Sequence, residues 1–251
     1  MNAPLILCLG YSAVFVSAAL WIVHYFWLRD RGKLPLAARG SSALAIFLLL
    51  GGLAAYGFRV GYWPFHTNYE LLNVGLAALL LAMLTLLSPR RDGFLLMLLS
   101  AGASLIAVYG AMIGIKTGAA VLGHDSWWRA AYVLLSAFGG GALLVTGAAA
   151  LAAWGRKPGS GEKIAAQRAL PWALLALSVG TACGAWYFQR LLGRYWGDAR
   201  WMGVLVVGLL TAAMWHLRGK WLERGWRLAL VGLILCAAGG YVVLGMSGGL
   251  S

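Results

Sequence analysis

The chain has 251 residues, 62% of them hydrophobic and only 11% charged, with a mean hydropathy of +0.80. An average soluble domain is about 45–50% apolar and about 25% charged, so a disordered chain is excluded and a water-soluble globule fits poorly. Three cysteines are too few for a disulfide scaffold, and the net charge of +13 has to be read from where the charges lie.

Eight apolar runs of about twenty residues follow one another, each long enough to cross a hydrocarbon core about 30 Å thick. The first, 4–28, has no basic residue before it and no small-x-small site at its end, which predicts a retained helix rather than a cleaved signal. It carries Cys8 and His24, and Arg29, Arg31, Lys33 and Arg39 follow it. The second run, 41–63, leads into GYWPFHTNYE at 61–70, which holds Trp63, His66 and Glu70. The third, 68–88, is followed by Arg90 and Arg91. The fourth, 93–112, is followed by KTGAAVLGHDSWWR at 116–129, with His124, Asp125, Trp127, Trp128 and Arg129. The fifth, 127–154, has three consecutive glycines, Gly139 to Gly141, at its middle. The polar stretch 155–168 reads as a loop and holds Arg156, Lys157, Lys163 and Arg168. The sixth run, 170–192, contains Cys183 and the small-xxx-small pair Gly180 and Gly184, and leads into RLLGRYWGDARW at 190–201. The seventh, 201–217, carries His216 near its end and is followed by Arg218, Lys220, Arg224 and Arg227. The eighth, 228–246, contains Cys236.

This pattern predicts an all-α integral membrane protein, a single domain over 1–251 built as a bundle of about eight transmembrane helices. Fourteen of the 20 basic residues fall in alternate loops, after runs one, three, five and seven. By the positive-inside rule those loops are cytoplasmic, and both termini face the outer side. A nucleic-acid partner is not expected, because it needs a basic face in water with base-reading or stacking groups. The cysteines show no CxxC spacing and read as small buried apolar residues. For the glycines, close helix packing is the first reading and a cofactor slot the second.

The other six basic residues, Arg59, Lys116, Arg129, Arg190, Arg194 and Arg200, belong to the three outer loops. The same loops hold Trp63, His66, Glu70, His124, Asp125, Trp127, Trp128, Tyr195, Trp196, Asp198 and Trp201. Singly, such tryptophans form an interfacial belt and such arginines snorkel. Together, an aromatic shelf, guanidiniums and imidazoles suit a flat, apolar, anionic ligand. Haem answers that description: its macrocycle stacks on indoles, its propionates pair with Arg and its iron takes His. No HExxH or GxxxxGK[ST] motif, no GxGxxG opening a βαβ unit and no GxSxG nucleophile elbow between a strand and a helix is present, so binding or delivery is expected rather than acid–base or nucleophilic catalysis. Seven acidic residues leave little for an ion path, which places a transporter last.

The third outer loop resembles the tryptophan-rich WWD motif of the cytochrome c assembly family, membrane haem-handling proteins of CcsA and CcmC type. The stretch runs Leu192-Gly193-Arg194-Tyr195-Trp196-Gly197-Asp198-Ala199-Arg200-Trp201, and the next helix ends His216-Leu217-Arg218. The 18 residues from Asp198 to His216 agree with the family spacing, and Pro64 with Tyr69-Glu70 echoes its P…YE element. The resemblance covers residues 60–246. It departs where Leu192 replaces the first motif tryptophan and where one residue is missing after Gly197. Arg129 stands near the first expected outer histidine, and the last segment has no histidine.

The resemblance implies a haem-binding or haem-presenting protein of the bacterial cytoplasmic (inner) membrane. Its partners would be lipid and either another membrane subunit or a c-type cytochrome. Expected haem contacts are His216, Tyr195, Trp196, Asp198, Arg194, Arg200, Trp63, His66, His124 and Arg129. His216 has the family precedent for a metal ligand, and His24 lies at a similar depth as a second. The lost histidines leave a second reading open, a non-catalytic structural or regulatory subunit of a larger membrane complex. Trp21, His24 and Tyr25 share one helical face, which reads as packing.

Overall fold

The computed structural model describes residues 3–27, 33–61, 67–113, 126–154, 161–193, 195, 199–222 and 225–245. Among them are nine helices and no strand: α1 (Ala3–Phe26), α2 (Lys33–Val60), α3 (Asn68–Leu86), α4 (Gly93–Ile113), α5 (Trp127–Ala152), α6 (Gly161–Leu192), α7 (Ala199–His216), α8 (Arg218–Leu222) and α9 (Gly225–Gly245). All but α8 are long and apolar enough to cross a membrane, which marks a multi-pass membrane protein. Large apolar side chains such as Phe47, Phe58, Leu105, Met112 and Leu209 stand exposed around the bundle, as lipid-facing residues must.

Two helices begin earlier than the apolar runs suggest. The 155–168 stretch reads as a loop in the sequence, but α6 starts at Gly161; α2 starts at Lys33 rather than at 41. At 1.5 Å per residue α6 is about 48 Å long and α2 about 42 Å, well beyond a hydrocarbon core of about 30 Å. Their N-terminal turns therefore project past the core, and Arg39, Lys163 and Arg168 lie on these extensions. Ala165, Ala166 and Ala169 recur at helical spacing and are buried, and that packing carries α6 beyond its apolar run.

Neighbouring helices pair antiparallel in fixed registers. Ser17 Oγ lies 2.5 Å from Ser42 Oγ across α1–α2, and the Arg39 guanidinium donates to the Leu84 carbonyl at 3.0 Å across α2–α3. Tyr25 meets Phe94 at 5.7 Å across α1–α4. The most buried helices are α3 and α5, which pack on each other. Against α3 lie α2 and α4, with α1 packed on both of these; against α5 lie α6 and α9, with α7 packed on both of these.

The three successive glycines of α5 point about 100° apart and meet three different neighbours. A Cβ on Gly139 would lie 2.7 Å from Leu177 Cγ of α6, one on Gly140 2.9 Å from Val242 Cβ of α9, and one on Gly141 3.1 Å from the Ala78 carbonyl oxygen of α3. Gly140 and Gly147 of α5 also face Gly239 and Gly232 of α9, a seam of glycines seven residues apart on both helices. Packing, the first reading, accounts for these glycines. Cys236 lies in that seam, whereas Cys8, expected to be buried, stands exposed.

The bundle has two unlike ends. At one, the α3–α4 turn packs on the start of α6, with the Arg91 side chain against Gly161. Asp92 accepts the Ser88 N–H at 2.8 Å. Burial holds its carboxyl above the usual carboxylate range, against that hydrogen bond and the guanidiniums of Arg91 and Arg168, while the nearby Glu162 adds to the rise. A carboxyl with a raised folded pKa binds its proton more tightly folded than unfolded. Stability therefore falls as pH rises from the unfolded value through the folded one. Thermal melts in detergent from pH 4 upward should show that decline, and Asp92→Asn, which can still accept from Ser88, should flatten it by a few degrees. Parallel curves for the two proteins would contradict the account.

Candidate functional site

At the opposite end the sequence starts α5 with a cap. Ser126 Oγ accepts the Trp128 N–H at 3.2 Å, so the helix opens on Trp127, Trp128 and Arg129. Trp127 stacks on Trp128 with ring centroids 3.6 Å apart. Trp128 in turn meets Trp186 of α6 at 6.0 Å, and the Arg190 guanidinium lies 5.8 Å from the Trp186 ring centre. Trp186 and Arg190 are one helical turn apart, so the cation covers the indole without bending the helix. The result is a continuous aromatic shelf with a guanidinium at its edge.

Trp201 anchors α7 beside the shelf. Only 6% exposed, it donates from Nε1 to the Thr181 carbonyl at 3.2 Å and meets Phe188 edge-on at 6.4 Å. Gly184 makes the seat: a Cβ there would lie 2.6 Å from Trp201 Cδ1 and 2.9 Å from Tyr132 Cδ2. On the other side of the bundle, Thr67 and Glu70 form a capping box at the start of α3. Thr67 Oγ1 accepts the Glu70 N–H at 3.2 Å and Glu70 Oε2 accepts the Thr67 N–H at 2.9 Å. The Tyr69-Glu70 pair thus serves the fold, because it starts a helix whose first turn is buried.

Of the expected haem contacts, Arg129 and Arg200 are half-buried and Tyr195 is exposed, all at this aromatic end. Trp63, His66, His124, Arg194, Trp196 and Asp198 lie outside the described residues. His216 is exposed at the far end of α7. Fifteen residues separate it from Trp201, about 22 Å of helix rise, so a ligand lying on the shelf does not reach it. His24 is buried, 4% exposed, with its ring 5.9 Å from that of Trp21, and its Nδ1 has no hydrogen-bond partner among the described residues.

The structure does not bring His24 and His216 together. α1 packs on α2 and α4 and α7 on α6 and α9, which sets the two imidazoles on opposite flanks of the α3–α5 centre. Among the described residues no three of His, Cys, Asp and Glu gather as a metal site. Trp186 is the shelf residue that loop-by-loop reading misses, because it lies inside an apolar run; its i, i+4 spacing to Arg190 is the available signal. Compared with known protein families and with curated proteins, the chain matches none.

Proposed function

We propose that this protein handles haem as cargo at the aromatic end of the bundle, holding it there for a c-type cytochrome or a partner membrane subunit. The observation that carries this reading is the shelf of Trp127, Trp128 and Trp186 with Arg190 at its edge. Indole faces take a flat macrocycle and a guanidinium takes its carboxylates. Histidines His66 and His124 belong by sequence to the loops of this end and would supply iron ligands. His216, about 22 Å away along α7, is a second and separate station. The resemblance of the Tyr195–Arg218 segment to the cytochrome c assembly family points the same way.

The basic end, on this reading, faces the cytoplasm of a bacterial cell, and the shelf faces outward. Single cysteines placed at Ser126 and at Lys220, in a background lacking Cys8, Cys183 and Cys236, should label from opposite sides of intact cells, Ser126 from outside. Labelling of Lys220 from outside would reverse the orientation. Protein purified in mild detergent should show a Soret band, and a pyridine-haemochrome assay should return stoichiometric haem.

One observation favours the second reading, a non-catalytic subunit of a larger membrane complex. The two helix-borne histidines are set apart on helices that do not pack on each other. A colourless, stable protein that co-purifies with another membrane subunit would support that reading over the first.

A further inference from the structure

We infer that the corner of the basic end formed by α7, α8 and the start of α9 is a binding site for an anionic phospholipid headgroup. The inference is independent of haem. α8 is a five-residue link that packs on both α7 and α9, so the cations it joins share one corner. Arg218 lies 3.8 Å from the Trp215 ring centre and donates to the Trp215 carbonyl at 3.2 Å. Arg227 lies 5.5 Å from the Trp226 ring centre, and Lys220, between the two arginines in sequence, stands exposed. Stacking on an indole fixes the plane of a guanidinium and leaves its remaining N–H groups to take a phosphate.

The corner differs from the other basic corner at this end. There Arg91 and Arg168 lie within electrostatic reach of the buried Asp92 carboxyl, so their charge is partly matched inside the protein. At the α7–α8–α9 corner none of the three cations meets a carboxylate among the described residues; Glu223 lies outside them. Two indoles complete the site. Trp226 is 63% exposed, and the antiparallel glycine register of α5 on α9 brings Trp154, 61% exposed, level with Gly225 and Trp226. Exposed indoles at a helix end take the depth of the lipid headgroups, and they place the three cations where phosphates lie.

The test is a titration of the purified protein with short-chain phosphatidylglycerol and with phosphatidylcholine, read by native mass spectrometry. Wild type should hold phosphatidylglycerol in preference to phosphatidylcholine. Each cation near an anionic surface contributes about 1 kcal/mol, roughly fivefold. Arg218→Gln/Lys220→Gln/Arg227→Gln should therefore weaken phosphatidylglycerol binding about a hundredfold, whereas Arg90→Gln/Lys163→Gln/Arg168→Gln, with the same loss of charge, should change it little. Should the first triple fail to fold, Arg227→Gln alone decides, with about a fivefold loss expected. Equal losses in both triples, or equal binding of the two lipids by wild type, would overturn the assignment. Displacement of the lipid by glycerol phosphate would also overturn it and give the corner to a soluble anion.

Discussion

Gly147→Leu should abolish the folded, monodisperse protein in detergent, while Gly102→Leu should behave as wild type. A Cβ on Gly147 would lie 2.7 Å from the Cys236 amide nitrogen, 2.7 Å from Cys236 Sγ and 2.8 Å from the Gly232 carbonyl oxygen. Two of those atoms are backbone and cannot rotate away. The partner position is equally tight, since a Cβ on Gly232 would lie 3.0 Å from the Gly147 carbonyl oxygen. Overpacking a well-filled core commonly costs about 1–3 kcal/mol, and here relief requires α9 to leave α5 along its length. Helices in lipid are held by such close packing rather than by a hydrophobic drive, so little remains to offset the loss. A Cβ on Gly102 would have nothing within 4 Å among the described residues, and this position supplies the control. Size-exclusion profiles and melts of Gly147→Ala, Gly147→Leu and Gly102→Leu would measure the effect. A Gly147→Leu protein that melts with the wild type would show that α5 and α9 do not pack along this seam.

The eight membrane-crossing helices are legible in the sequence because one physical length, the hydrocarbon thickness, sets the run of apolar residues that marks each. The start of α6 is not, because it rests on Ala165, Ala166 and Ala169 against neighbouring helices, and no single segment reveals its neighbours. The same limit applies to Gly139, Gly140 and Gly141. Their role in packing can be read from composition, but not that each meets a different helix. The seam is half legible: Gly140 and Gly147, Gly232 and Gly239 repeat at the same spacing, yet only the folded chain pairs them. At the aromatic end, the alternation of basic loops correctly groups Trp127, Arg129, Tyr195 and Arg200. It overlooks Trp186, which is nearly two turns inside the end of α6 and reaches the shelf through its register with α5. The alternation likewise assigns His24 and His216 to one end, but depth along a helix says nothing of which flank the helix occupies.

Haemin titrated into the purified protein should bind in two classes, separable by mutation, if the shelf and His216 are distinct stations. Trp128→Ala/Trp186→Ala removes two ring faces from the shelf. At about 1 kcal/mol for each stacked ring, that class should weaken roughly thirtyfold. Arg190→Gln removes a charge-assisted contact at the shelf edge and should cost roughly tenfold or more. Neither change alters an iron ligand, so the absorption maxima of the haem that remains should not move. His216→Ala should do the reverse: shelf affinity stays as in wild type, because some 22 Å of helix separates the two, while the imidazole-ligated component of the Soret band disappears or shifts strongly. A helix-borne imidazole is held in a narrow range of orientations, which favours ligation, but exposure of His216 leaves its second axial position to be filled from outside α7. If His216→Ala instead removes all bound haem, one site exists and the indoles are an interfacial belt. If both the shelf variants and His216→Ala fold and bind as wild type, neither station holds haem, and the weight passes to the subunit reading. That outcome has a structural rationale in the two imidazoles on opposite flanks of the bundle, since ligation by a pair would require a helix pair that the α1 and α7 packing does not provide.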